Sequence, residues 1–210
     1  MSADRPVVLL ATRSAGKLRE LGGILAEAGF RGITLSDAGI VEAPDEDSIE
    51  CYDTFEENAL AKARWFNRLS RMPAMADDSG LCVRSLGGAP GVWSKRYAGR
   101  PGLIGQSLDD ANNAKLQTEL RDFEDRSAHY TCAAAFADGD DDLVASGETF
   151  GTIAREPAGG HGFGYDPYFY STELHKTFGE ATTAEKQAVS HRARAFRALV
   201  GALRERDRPL

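Results

Sequence analysis

The sequence predicts an α/β fold, organised as one domain over residues 1–210. Three observations carry that expectation. Short apolar runs alternate with segments of helical periodicity along the whole chain, no internal repeat is visible, and no Pro/Ser-rich linker divides it. At 210 residues, with 42% hydrophobic and 27% charged side chains, the chain can bury a substantial core, which excludes disordered and fibrous classes.

In chain order, residues 7–11 are a continuous apolar run of strand length, and Leu18, Leu21, Leu25 and Ala28 then recur at helical spacing. A second helix is signalled at Thr54, which can form a capping box with Glu57. Phe55, Ala59, Ala63 and Phe66 line one face of that helix, and Asn58 and Lys62 share another. Residues 74–76 read as the end of a buried strand that opens into a loop at Asp77-Asp78-Ser79-Gly80, before a further apolar stretch at 81–83. Strands are expected at 130–137 and 148–153, joined through residues 143–145 and a solvated acidic turn at 138–142. Residues 159–164 hold four glycines in six positions, which requires an unusual backbone path. Thr182 and Glu185 can cap a helix carrying Lys186, and Phe196, Leu199, Val200 and Leu203 place a last helix against the core.

Charge and composition narrow the function. With 25 basic against 32 acidic residues the net charge is -7, which argues against a general polyanion binder, so no nucleic-acid partner is expected. No apolar stretch approaches the about 20 residues that span a bilayer, and residues 1–6 lack the basic and apolar regions of a signal peptide. A cytoplasmic protein without a membrane partner is expected. Cys51, Cys82 and Cys132 are odd in number and widely spaced, which suggests buried thiols rather than a metal knuckle or a disulfide framework. His129, His161, His175 and His191 show no HExxH spacing, so any metal is expected to be held by oxygen.

Four constellations can carry chemistry. Thr12-Arg13-Ser14-Ala15-Gly16-Lys17 lies between a strand and a helix, where free amides, the helix dipole and Lys17 favour an anion. It is a plausible phosphate cradle but not a Walker A loop, because Ala11 and Leu18 stand where Gly and Ser or Thr are required. An ordinary strand-to-helix turn with surface cations is the other reading. Asp77 and Asp78 at the end of a buried strand are costly unless compensated, and a hard divalent cation would compensate them. Successive side chains of a strand face opposite ways, so one Asp can face a metal while the other takes structural hydrogen bonds. The acidic stretch 42–50 offers Glu46 and Glu50 as further ligands, whereas a solvated turn needs no metal at all. Gly162-Phe163-Gly164-Tyr165-Asp166 offers an aromatic face and a carboxylate to a nucleobase, or else two aromatics to the core. Lys186 with Ser190-His191-Arg192 interrupts the amphipathic C-terminal region with polar groups, each of which alone reads more readily as a solvated surface charge.

Taken in order, residues 11–17, Thr54-Phe55-Glu56-Glu57-Asn58-Ala59, Ala76-Asp77-Asp78-Ser79-Gly80-Leu81, Gly87-Gly88-Ala89-Pro90-Gly91, residues 162–167 and Ser190-His191-Arg192 closely resemble the inosine triphosphate pyrophosphatase family. The resemblance runs from near residue 7 to near residue 203. It implies a long mixed β-sheet flanked by helices, two lobes with a nucleotide cleft between them, and a homodimer. The activity implied is hydrolysis of non-standard purine nucleoside triphosphates (ITP, dITP, XTP) to the monophosphate and pyrophosphate, which clears damaged purines from the nucleotide pool.

By the same resemblance Thr12, Arg13, Ser14, Ala15, Gly16 and Lys17, with Lys62 and Ser79, would hold the triphosphate. Asp78 would activate water and bind Mg2+ together with Glu50, with Glu46 as the alternative ligand. Phe163 would stack on the base, Gly164 and Tyr165 would belong to the same substrate-binding loop, and Asp166, Lys186, His191 and Arg192 would line the edge of the base. Ser14 departs from the family's usual Asn, and a weaker hold on the triphosphate is expected from it. Pyrophosphatases for modified pyrimidine or ordinary deoxynucleoside triphosphates share this phosphate chemistry, and a nucleotide sensor would keep the pocket without turnover.

Overall fold

In the computed structural model, which describes residues 5–206, the first apolar run forms strand β1 (Val7–Leu10) and leads into helix α1 (Ala15–Glu27). The Ser14 hydroxyl caps α1 by accepting from the Lys17 N–H. A helix start leaves such donors open, and serine is among the best residues to close one. The cap draws Ala15, Gly16 and Lys17 into the first helical turn, earlier than the apolar spacing alone suggests. Strand β2 (Arg31–Thr34) follows, and after a 3-10 turn at Glu46–Ser48 comes helix α2 (Phe55–Ser70). Its Thr54 cap accepts from the Glu57 N–H at 3.2 Å, and Arg71 ends it in the left-handed region at φ 58°.

Strand β3 (Ala74–Val83) departs from expectation: it runs ten residues without a break, straight through Asp77-Asp78-Ser79-Gly80. The carboxylates find buried partners within the fold, described below, so the strand has no need to open toward water. Helix α3 (Gly105–Glu119) is absent from the sequence reading because its buried face carries Asn112 and Asn113 beside Leu116, which interrupts the apolar period.

Strands β4 (Ser127–Asp138) and β5 (Asp141–Ile153) form a hairpin closed by Gly139 and Asp140, with Gly139 at φ 63° as such tight turns demand. The acidic turn is therefore shorter than expected, and residues 143–145 belong to β5 itself. Strands β6 (Phe169–Ser171) and β7 (Lys176–Thr177) and helices α4 (Thr183–Val189) and α5 (His191–Arg206) complete the chain.

The seven strands lie in the order β2-β1-β3-β4-β5-β6-β7. β1 pairs in parallel with β2 and β3, while β5, β6 and β7 pair antiparallel, so the sheet is mixed and helix-flanked. The chain divides into two compact units, each assembled from separate stretches.

The first unit comprises residues up to Asp78, Cys132–Gly147 and those from Arg192 onward. Its core is sorted by strand alternation. Val8, Leu10, Met75, Cys132, Ala134 and Phe136 pack against Leu21, Ile24 and Leu25 of α1 and Phe196, Leu199 and Leu203 of α5. Leu9, Ala11, Ala74, Ala76, Ala133, Ala135 and Ala137 point the other way, against Ala59, Ala63 and Phe66 of α2. Both faces of these strands are thus covered, which is why they read as unbroken apolar runs.

The second unit comprises Ser79–Thr131 and Glu148–His191. Leu81, Val83, Leu116, Leu120, Ile153, Phe169 and Phe178 form its core. The buried Arg126 guanidinium donates to the carbonyls of Ile153 at 2.7 Å and Leu120 at 2.9 Å, tying the end of α3 to β5. Of the cysteines only Cys132 is buried: Cys82 is half-buried, and Cys51, beside the polar start of α2, is exposed, contrary to expectation. Among the described residues no helix is long and apolar enough to cross a membrane.

Candidate active site

The alternation that sorts the core also sorts the two aspartates of β3. Asp77 follows Met75 toward α1 and α5, and Asp78 follows Ala76 toward α2. Asp77 is fully buried, and its Oδ2 lies 3.1 Å from Lys17 Nζ and 3.0 Å from Arg192 Nε, with Cys132 Sγ at 3.9 Å. Lys17 Nζ also donates to the Asp77 carbonyl at 3.3 Å, and Arg192 Nη1 pairs with Glu20. Burial alone would push the Asp77 carboxyl up, but the charges of Lys17, Arg192 and Lys62 overturn it and hold the group well below the usual carboxylate range. The same environment raises Arg192, because the charges of Asp77 and Glu20 outweigh the opposing cost of burial. Burial pushes the Cys132 thiol up, and the Asp77 charge adds to it.

Asp78 occupies a different setting. Its Oδ2 accepts from Asn58 Nδ2 at 3.0 Å, and Asn58 also holds the Tyr52 N–H at 2.9 Å and the Tyr52 carbonyl at 3.1 Å. One side chain of α2 thereby fixes both the carboxylate and the segment that follows Glu50. Lys62, one turn further along α2, pairs with Glu50. Burial pushes the Asp78 carboxyl up; Lys17 and Lys62 oppose that effect, and the Glu50 charge reinforces it. Lys62 is raised: the charges of Glu50, Asp77 and Asp78 outweigh its burial. Two carboxylates close enough to repel, edged by lysines, form a set of hard oxygen donors suited to a small divalent cation.

Glu46 is placed elsewhere. Arg13 grips it with two hydrogen bonds, at 2.6 and 2.9 Å, and the Ala43 N–H adds a third at 3.1 Å. This geometry favours Glu50 over Glu46 beside Asp78. Thr12 is buried, and its hydroxyl accepts the Ser14 N–H at 3.2 Å, which shapes the turn that delivers Lys17.

A second group of the expected site residues belongs to the second unit. Asp166 is buried, and its Oδ2 accepts from the Phe163 N–H at 2.8 Å and from Lys186 Nζ at 2.6 Å. Lys186 Nζ lies 5.0 Å from the centre of the Phe163 ring and 5.3 Å from that of Phe178, within cation–π range of both. The capping box of Thr182 and Glu185 starts α4 one turn before Lys186 and fixes where its stem emerges. Lys176 also pairs with Glu185, and these contacts hold its carboxyl down to about 2. Phe163 is half-buried, whereas Tyr165 is a core residue whose hydroxyl donates to the Ser94 carbonyl at 2.8 Å. His191 is buried and stacks on Tyr130 at 4.5 Å with 9° between planes. Ser79 is half-buried on β3.

Gly162 is indispensable to this loop: at φ 79°, a Cβ there would stand 2.1 Å from Asp166 Oδ2. Gly159 is equally confined, since its Cβ would meet the Gly179 carbonyl at 2.0 Å. That close approach gives the Phe178-Gly179-Glu180 segment its shape.

Several functional partners escape sequence reasoning. Glu20 carries no local signal, and Asn58 is visible only as a polar neighbour of Lys62. Arg192, expected beside a base, has Nε on Asp77 and Nη1 on Glu20.

Comparison with known proteins bears on this geometry. The chain is 47% identical to a dITP/XTP pyrophosphatase of Ralstonia nicotianae, over 94% of this chain and 96% of that protein. It is 46% identical to a dITP/XTP pyrophosphatase of Burkholderia pseudomallei, over 97% and 96%. Its fold matches the solved structure of a HAM1 protein from Coxiella burnetii with a TM-score of 0.80 at 36% identity, covering 95% of this chain and 99% of that one. Residues 8–202 match the profile of the Ham1 family, and the chain belongs to that family.

Proposed function

We propose that this enzyme adds water across the α–β anhydride of non-standard purine nucleoside triphosphates, ITP, dITP and XTP, releasing the nucleoside monophosphate and pyrophosphate. The observation that carries the reading is the setting of Asp78: a buried carboxyl, raised by burial, oriented by Asn58 and flanked by Lys17, Lys62 and Glu50. The curated relatives at 46–47% identity, both dITP/XTP pyrophosphatases, support it.

Phosphoryl chemistry asks a protein mainly for positioning and charge. The amides opening α1, with Lys17 and Lys62, hold the triphosphate, and Thr12 fixes the turn beneath it. Arg13 joins them by exchanging Glu46 for a phosphate oxygen. Glu50 and Asp78 would hold Mg2+, which when bound neutralises phosphate charge and polarises phosphorus. Asp78 orients the attacking water and receives its proton, held in place for that role by Asn58. Within the second unit Phe163 offers a stacking face for the purine, and Lys186, anchored by Asp166, donates to a 6-oxo group. The 6-amino group of adenine offers that buried donor nothing to bond, which costs affinity.

The test is pyrophosphate release from ITP, XTP, ATP and GTP, with magnesium and with chelator. Magnesium-dependent release from the first two, exceeding the others by about two orders of magnitude or more, is the expected result. Equal release from all four would favour a general nucleotide pyrophosphatase, and binding without release a sensor. Gly162→Ala tests the base loop: the strained φ and displaced Asp166 are expected to lower kcat/KM for ITP by about tenfold or more. Unchanged kinetics would remove Asp166 from base recognition.

A further inference from the structure

Helix α3 carries two side chains, Asp109 and Asn113, four residues apart and so on one face. Both reach the base loop at a single residue. Asp109 Oδ2 accepts the Gly164 N–H at 2.9 Å, and Asn113 Nδ2 donates to the Gly164 carbonyl at 3.0 Å. Nδ2 of Asn113 also donates to the Asp109 carbonyl at 2.9 Å, so the amide must present its NH2 to two acceptors and cannot turn over. Asn113 is buried, and burial is the main cause that raises the Asp109 carboxyl, against the Gly164 N–H that lowers it.

Gly164 stands at φ 64° without a Cβ, a conformation that glycine leaves readily unless it is held. On the preceding side Phe163 gives its own N–H to Asp166, and on the following side Tyr165 is pinned through its hydroxyl to Ser94. The clamp from α3 closes the gap between these two anchors. With all three in place the backbone on both sides of Phe163 is held, and with it the point and direction from which the Phe163 side chain leaves the chain.

We infer that Asp109 and Asn113 are positioning residues that set the placement of the Phe163 platform and thereby the discrimination between purine bases. The inference rests on the functional reading above. Neither residue touches the base. Their effect passes through Gly164 to Phe163, and displacements of about 1 Å in such sites cost around a hundredfold.

The test compares wild type with Asp109→Ala, Asp109→Asn and Asn113→Ala. Three readouts are taken: kcat/KM for ITP and ATP, competitive inhibition by inorganic tripolyphosphate, and amide hydrogen exchange across residues 162–166. The alanine variants are expected to lower the ITP-to-ATP ratio by about tenfold or more, mainly through KM for ITP, with faster exchange in the loop. Tripolyphosphate inhibition should stay within about twofold, because it reports only on the phosphate groups of the site. Asp109→Asn should restore both the ratio and the protection, since its amide oxygen still accepts the Gly164 N–H.

A ratio that survives both alanine substitutions while wild type is selective overturns the inference and leaves the functional reading intact. Loss of tripolyphosphate inhibition together with ITP turnover assigns the two residues a purely structural role and overturns it as well. A wild-type enzyme that treats ITP and ATP alike fails the functional reading itself.

Discussion

Asp78→Asn is expected to lower turnover by about a thousandfold, within the range that a positioned acid–base group contributes. The substitution keeps the shape of the side chain and an oxygen for Asn58 Nδ2 to bond, so the start of α2 and the segment after Glu50 stay in place. It removes the proton acceptor and one negative charge between Lys17 and Lys62. Nucleotide binding should therefore remain measurable, and loss of a negative charge beside the phosphates can even tighten it in the absence of metal. Single-turnover pyrophosphate release alongside equilibrium nucleotide binding separates the two effects. Turnover within a few-fold of wild type would strip Asp78 of its assigned role.

The largest effect on stability is expected at the neighbouring position. Asp77→Asn leaves Lys17 and Arg192 without the carboxylate that both face, and breaking a buried ion pair by removing one partner costs about 3–5 kcal/mol. The urea midpoint of unfolding measures it. Arg192→Met in the same chain should cost less than the sum of the two single changes, because the second substitution removes one of the stranded charges. A loss below about 1 kcal/mol for Asp77→Asn would mean that the Asp77 pairs merely offset their own desolvation. The pH sign follows from a depressed carboxyl. The contribution of Asp77 is complete above its ordinary value near 4 and is withdrawn only as pH falls further toward the folded value.

These two neighbours also show what a sequence discloses. The Thr54 cap, the last helix and the first βα turn are legible because periodicity and capping chemistry act over a few residues. The alternating assignment of Asp77 and Asp78 is legible too, since strand geometry dictates it. The persistence of β3 through both carboxylates is not, because the charges that permit it come from 60 and 115 residues away. Helix α3 is hidden for a related reason: Asn112 and Asn113 are buried polar residues whose partners, at Ala98, Lys95 and Gly164, are distant loops. Motif order points to the chemistry of Lys17, Lys62 and Asp78, but Glu20 and Asp109 act through tertiary contacts that no local pattern announces.

The pairing of Arg192 with Glu20 joins residues 172 positions apart. A chain emerging from the ribosome has made β1, α1 and β3 well before residue 192 exists, so Asp77 and Glu20 wait for Arg192 to receive that counter-charge. Products that stop short of residue 192 therefore leave Asp77 and Glu20 without that partner even when most of the sheet-forming sequence is present.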